Sequence, residues 1–342
     1  KEIANTLIGY GIHNRDGEVS IEAGTIVTET AQVKGITYGI YNQSAKPVTV
    51  KGGSVIAEAR GENSTSCGIY NLAGEMVQVT GGMVLANANA ESSISYGIYN
   101  KTNGAISVTG GSVQSKSSLA SAVSYGIYNE TSRDIALSGG TVTAQSDRNI
   151  AYGIYNKAGK VAVTSGNIEV NATRGYGVYN ESSTAEADVQ NGKITMVGTT
   201  SYGIYNKEGV LSVSGGTIEL LGDTSYGIYN YTGTADITGG EIIAKATGSS
   251  IYGIYNANSN NMLISDTTIN AQNGNGIYNQ SGTLQIESAN ITASAGIYNN
   301  NSVIVNSANI KAITYGIYNN YGNAEIQSLD IISNNYGVYN AN

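Results

Sequence analysis

One pentapeptide, YGIYN or a close variant, recurs fourteen times, and this recurrence constrains the fold more than any other feature of the chain. Its glycine falls at positions 11, 39, 68, 97, 126, 153, 177, 203, 227, 253, 276, 296, 316 and 337. The interval shrinks from 28–29 residues at the start to 20–21 at the end. The glycine and the final asparagine occur in every copy, and the third position is always Ile or Val. The fourth position is Tyr in thirteen copies, with His13 the exception. The first is Tyr in eleven, with Cys67, Asn275 and Ala295 the departures.

Two short apolar pairs recur between motifs. Before a frequent Gly-Gly stand Val48/Val50, Val77/Val79 and Ile106/Val108; after it stand Val55/Ala57, Val84/Ala86 and Val142/Ala144. A spacing of two means strands with alternating faces. Each repeat therefore reads as three short strands joined by turns rich in Gly, Ser, Thr and Asn. Such a unit cannot bury its own apolar face, so successive units must stack. The fold class expected is all-β: a right-handed parallel β-helix, or solenoid, of about fourteen coils. Right-handedness rests on the general crossover preference of parallel strands. Residues 1–342 form a single β-helix repeat domain in this reading. No polar cap is visible at either end, so a fragment of a longer surface protein is expected. The shortening of the coils is placed in the connecting turns, in stretches such as 60–66 and 115–124, so the face they flank should open towards the C-terminal coils.

Composition narrows the function. Of 342 residues only 12% are charged, with 45 Gly, 26 Tyr, one His, one Cys and no Trp or Phe. A lone Cys67 can form no internal disulfide or multi-cysteine metal site. A net charge of -8 argues against nucleic acid as a partner. No apolar run is long enough for a transmembrane segment. No cofactor and no metal are expected.

Ladders follow from the stacking. Strict alternation from an inward third-position Ile turns positions one and five inward and Gly and the second Tyr outward. The asparagines then form a structural ladder of stacked amides: Asn42, Asn71, Asn100, Asn129, Asn156, Asn180, Asn206, Asn230, Asn256, Asn279, Asn299, Asn319 and Asn340. The fourth-position rings form a candidate ligand-binding ladder: Tyr41, Tyr70, Tyr99, Tyr128, Tyr155, Tyr179, Tyr205, Tyr229, Tyr255, Tyr278, Tyr298, Tyr318 and Tyr339. Stacked rings that merely stabilise the sheet are one reading. A sticky face for glycan, a surface protein or a second copy is the other. If Gly and Tyr turned inward instead, the outer ladder would be Tyr10, Tyr38, Tyr96, Tyr125 and their equivalents.

No catalytic residues are expected. The eight Asp share no repeat position, and Glu58, Glu169, Glu219 and Glu241 are scattered, whereas glycoside hydrolysis needs two carboxylates about 5–9.5 Å apart. His13 replaces a ladder Tyr. Cys67 replaces a first-position Tyr and reads as a buried, inert thiol.

The GGSV, GGTV, GGTI and GGEI segments, alternating with xIYN blocks, resemble the β-helix passenger domains of bacterial surface adhesins and autotransporters. The resemblance implies an extracellular or cell-surface rod, without enzymatic activity, that binds glycan or a cell-surface protein. The alternatives are a structural stalk or self-associating matrix component, and third, a polysaccharide-degrading β-helix enzyme.

Overall fold

The computed structural model describes residues 7–102, 104–248, 250–257 and 260–341. It is a parallel β-solenoid with no helix among the described residues. Two compact units divide the chain, Lys1–Gly175 and Tyr176–Asn342. In each, a coil comprises a motif strand ending in the YGIYN asparagine, a middle strand and a third strand. In the first unit Ile36–Asn42 lies parallel between Ile8–Asn14 and Thr65–Asn71, in unshifted register. In the second, Thr224–Asn230 lies likewise between Thr200–Asn206 and Ser250–Asn256.

Among the described residues, thirty-three strands taken three to a coil make about 11 turns, against the fourteen expected. The difference arises at the corners. Ile135–Asn156 is one unbroken strand along all three sides of a coil. Thr267–Asn279, Ala289–Asn299 and Ala308–Asn319 each join a third strand to the next motif strand. In the longer coils a turn separates these two strands, and one residue of each turn takes a left-handed backbone: Lys34, Asn63, Ser92 or Ser121. Where that turn is deleted, pairing continues through the corner.

The core is built of columns. Ile40, Ile69, Ile98, Ile127 and Ile154 are fully buried in the first unit, as are Ile204, Ile228, Ile254 and Ile277 in the second. The pairs Val48/Val50 and Val55/Ala57 close the other two sides, also fully buried. Burying each such Ile or Val side chain contributes about 1.5–3 kcal/mol before chain entropy is subtracted.

One expectation about side-chain direction is corrected. In Ile36–Asn42, Thr37, Gly39, Ile40 and Asn42 are buried, while Tyr38 and Tyr41 are half-exposed. Gly39 and Ile40 both face inward, so alternation breaks once and the first Tyr points out. The glycine is required by that break: a β-carbon at Gly39 would lie 2.6 Å from Val55 Cγ1 and 2.6 Å from the Gly68 carbonyl oxygen. Both tyrosine columns therefore stand on the outer surface.

Candidate functional site

Beneath the rings lies the asparagine ladder, and its hydrogen bonds fix the height of each coil. In the first unit Asn14 Nδ2 donates to Asn42 Oδ1 at 2.8 Å, and the pattern continues through Asn71, Asn100 and Asn129 to Asn156 at 2.8–3.2 Å. In the second unit the same chain runs from Asn180 to Asn340 at 2.8–3.1 Å. The remaining Nδ2 hydrogen reaches a turn carbonyl, as in Asn71 to Gly74 and Asn206 to Gly209. Every amide points the same way, and aligned bonds of this kind polarise one another.

Above the ladder the two tyrosine columns form a surface two rings wide. In the second unit Tyr179, Tyr205, Tyr229 and Tyr255 stack at 4.9–5.0 Å with planes within 8°. Tyr176, Tyr202, Tyr226 and Tyr252 stack beside them at 4.8–5.0 Å. The columns meet edge to face, for example Tyr202 against Tyr205 at 5.4 Å and 82°. Stacking occupies the ring faces within a run, so the surface presents ring edges and phenol oxygens. Burial, helped by neighbouring phenols, pushes Tyr226 and Tyr229 up to about 12. These hydroxyls are neutral at physiological pH and can donate as well as accept.

The first-position column is interrupted twice. At Cys67, in the first unit, one ring is missing between Tyr38 and Tyr96. Tyr99 is turned: its plane lies 73° from Tyr70 and 80° from Tyr128, whereas Tyr41 and Tyr70 are only 10° apart. Lys101 Nζ sits 5.8 Å from the Tyr99 ring centroid and pairs closely with Glu130. Cys67 is fully buried, and burial pushes its thiol up.

In the second unit two successive rings are missing, at Asn275 and Ala295, in register between Tyr252 and Tyr315. Here the adjacent column does not turn. Tyr255, Tyr278, Tyr298 and Tyr318 keep stacking with planes within 18°. An open cavity of about 440 Å³ results, bordered by Asn275, Ser294, Ala295, Tyr298, Thr314 and Tyr315. The corner turn has shrunk to Ser294 alone between the paired Ala293 and Ala295.

Other residues singled out in the sequence lie apart from these interruptions. His13 stacks on Tyr10 at 4.7 Å and bonds Gln43 at 2.9 Å. Glu219 is held between Lys193 and Lys245, whose hydrogen bonds lower its carboxyl below the usual range. Sequence reasoning missed a buried hydroxyl cluster. Ser115 Oγ lies 2.7 Å from Ser95 Oγ and 2.6 Å from Ser124 Oγ inside the first unit. Its signal was the Ser or Thr that repeatedly precedes the first motif position, as at Thr37, Ser66, Ser95 and Ser124. No protein-family profile matches the chain, nor does any curated protein or solved structure.

Proposed function

We propose that the chain is a non-catalytic binding scaffold of a bacterial surface or secreted protein, of adhesin type, and that its tyrosine surface binds neutral glycan polymers. The observation that carries this reading is the outward placement of both columns. It gives two parallel rows of phenol groups repeating at about 4.8 Å, the strand spacing. An extended polyol can exchange hydrogen bonds with many such groups at once, and many weak contacts sum to useful avidity. The repeat style, which resembles that of surface passengers, supports an extracellular setting.

The reading is tested by retention of the native chain on a panel of neutral polysaccharides. The comparison is a variant carrying Tyr202→Phe, Tyr205→Phe, Tyr226→Phe and Tyr229→Phe. Phenylalanine keeps the stacking and removes only the hydroxyls. Retention by at least one polymer, weakened at least threefold in the variant, is expected. No retention by any polymer, with the chain sedimenting as an assembly, would replace the proposal with self-association.

A further inference from the structure

The double interruption at Asn275 and Ala295 combines features that the unbroken surface lacks. Within a run, each first-position ring is covered on both faces by the rings above and below. Tyr315 stacks on Tyr336 at 5.5 Å and 9°, which covers one face only. The partner in register on its other side is Ala295, whose side chain ends at the β-carbon. That face of Tyr315 is therefore turned into the cavity, and the edge of Tyr318 supports the ring at 5.0 Å and 75°.

The size and chemistry of the cavity limit what can enter. Three strand spacings separate Tyr252 from Tyr315, about 14 Å, and two ring places between them are empty. The volume of about 440 Å³ lies within the usual range of small-ligand sites. No lining residue carries a charge, so neither an acidic nor a basic ligand is compensated there. The Asn275 side-chain amide has no hydrogen-bond partner among the described residues and is only half-buried. Ser294 and Thr314 also line it, the Thr314 hydroxyl donating to the Ser294 carbonyl at 2.8 Å and keeping its lone pairs to accept. The site thus offers an aromatic face, a free amide and neutral hydroxyls around a small apolar floor. A flat hydrocarbon would leave the Asn275 amide unpaired. A pyranose uses ring, amide and hydroxyls, its C–H face against the ring and its hydroxyls on the rim.

We infer that the gap left by Asn275 and Ala295 in the first-position tyrosine column is a binding site for one or two pyranose units of a neutral glycan, stacked on the free face of Tyr315 and hydrogen-bonded to Asn275. The inference rests on the glycan reading above and gives it a specific seat. Along the unbroken columns a polymer meets ring edges only, whereas here a sugar meets a ring face.

The repeat itself supplies the decisive variant. Asn275→Tyr together with Ala295→Tyr restores the residue found at this position in eleven copies of the motif and fills the site. Native and filled chains are titrated with neutral oligosaccharides of two to six units, followed by calorimetry and by tyrosine fluorescence. At least a tenfold loss of affinity is expected in the filled chain, with an unfolding midpoint no lower than the native one. Should the filled chain fail to fold, Tyr315→Leu removes the ring face while leaving the amide ladder intact, and the same tenfold loss is expected. A filled chain that binds short oligosaccharides as the native chain does overturns the site. Polymer retention by the native chain without short-oligosaccharide binding also overturns it, and leaves the polymer reading standing. If neither polymer nor oligosaccharide is bound, both fall. Binding of planar aromatic compounds alone overturns the site in favour of a different ligand class.

Discussion

The interruption at Cys67 in the first unit and the one at Asn275 and Ala295 in the second both break a column of first-position rings, yet the first is closed and the second is open. One missing ring leaves a space that a single neighbour can cover. Tyr99 turns by most of a right angle, stays 4.8 Å from Tyr96, and Cys67 disappears from the surface. Two missing rings leave a space that no single neighbour spans. Turning both Tyr278 and Tyr298 would give up their stacking on Tyr255, on each other and on Tyr318, each pair contributing about 0.5–1.5 kcal/mol. The corner adds to the contrast. Residues 60–64 form a full turn before the strand that carries Cys67, with Ser64 buried, whereas only Ser294 precedes Ala295. A column of identical residues thus tolerates one substitution by local rotation, and turns two adjacent ones into a cavity.

The largest effect is expected from what the two regions share. Asn71 and Asn279 lie beneath the respective interruptions, each in the amide ladder of its own unit. Asn71→Ala would leave the Gly74 N–H and C=O and the Asn100 amide oxygen without a partner. Asn279→Ala would take one donor each from the Gly282 and Ser302 carbonyls and the Asn299 amide oxygen, leaving Gly282 only the long bond from Ser302 N–H and Asn299 only the one from Asn301 N–H. With about 1–3 kcal/mol at stake per orphaned buried group, each change should cost about 3 kcal/mol in urea unfolding. If either variant is as stable as the native chain, the ladder is not the common foundation of the two regions.

Filling each interruption with tyrosine separates them by sign. Cys67→Tyr puts a ring at a position that is already fully buried beside the turned Tyr99, and overpacking should destabilise the chain by about 1–3 kcal/mol. Ala295→Tyr adds a ring to vacant space against Tyr315, and should stabilise it by about 1 kcal/mol. Shifts of the urea midpoint in the same direction would show that both sites are equally closed, or equally open, in solution.

The contrast also marks how far the sequence could be read. The strands, the buried isoleucines and the asparagine ladder were legible because each recurs at one repeat position under one physical demand. The direction of the first Tyr was not, because alternation breaks at Gly39 and Ile40, where two adjacent residues face inward and only a glycine clears Val55 and the Gly68 carbonyl. The coil count differed because deletion of a corner turn fuses strands such as Ala289–Asn299. The departures Cys67, Asn275 and Ala295 were visible as letters. That one closes and two make a cavity depends on the rotation of Tyr99, which belongs to the neighbouring column and has no sequence signal of its own.

The smallest effect on stability, and the sharpest reading of access, comes from comparing thiols. Cys67 is buried to the last atom, and Ala295 is 8% exposed at the floor of an open cavity. Ala295→Cys in a Cys67→Ser background should leave stability at pH 7 within about 0.5 kcal/mol of Cys67→Ser alone, as small surface-facing changes do. Alkylation at pH 8 should nevertheless be at least a hundredfold faster at position 295 than at native Cys67. Burial pushes the Cys67 thiol up, so the folded chain holds this proton above about pH 8.5, where an unfolded thiol loses it. The stabilisation from this group is therefore complete below about pH 8.5 and is lost as pH climbs through the raised folded value, by up to about 1.4 kcal/mol per pH unit. Raising the pH from 8 to 9 should speed alkylation at 295 in proportion to its thiolate and leave Cys67 slow. Equal rates at the two positions would mean that Tyr99 does not hold its turned position, and the closed interruption would then be as open as the other.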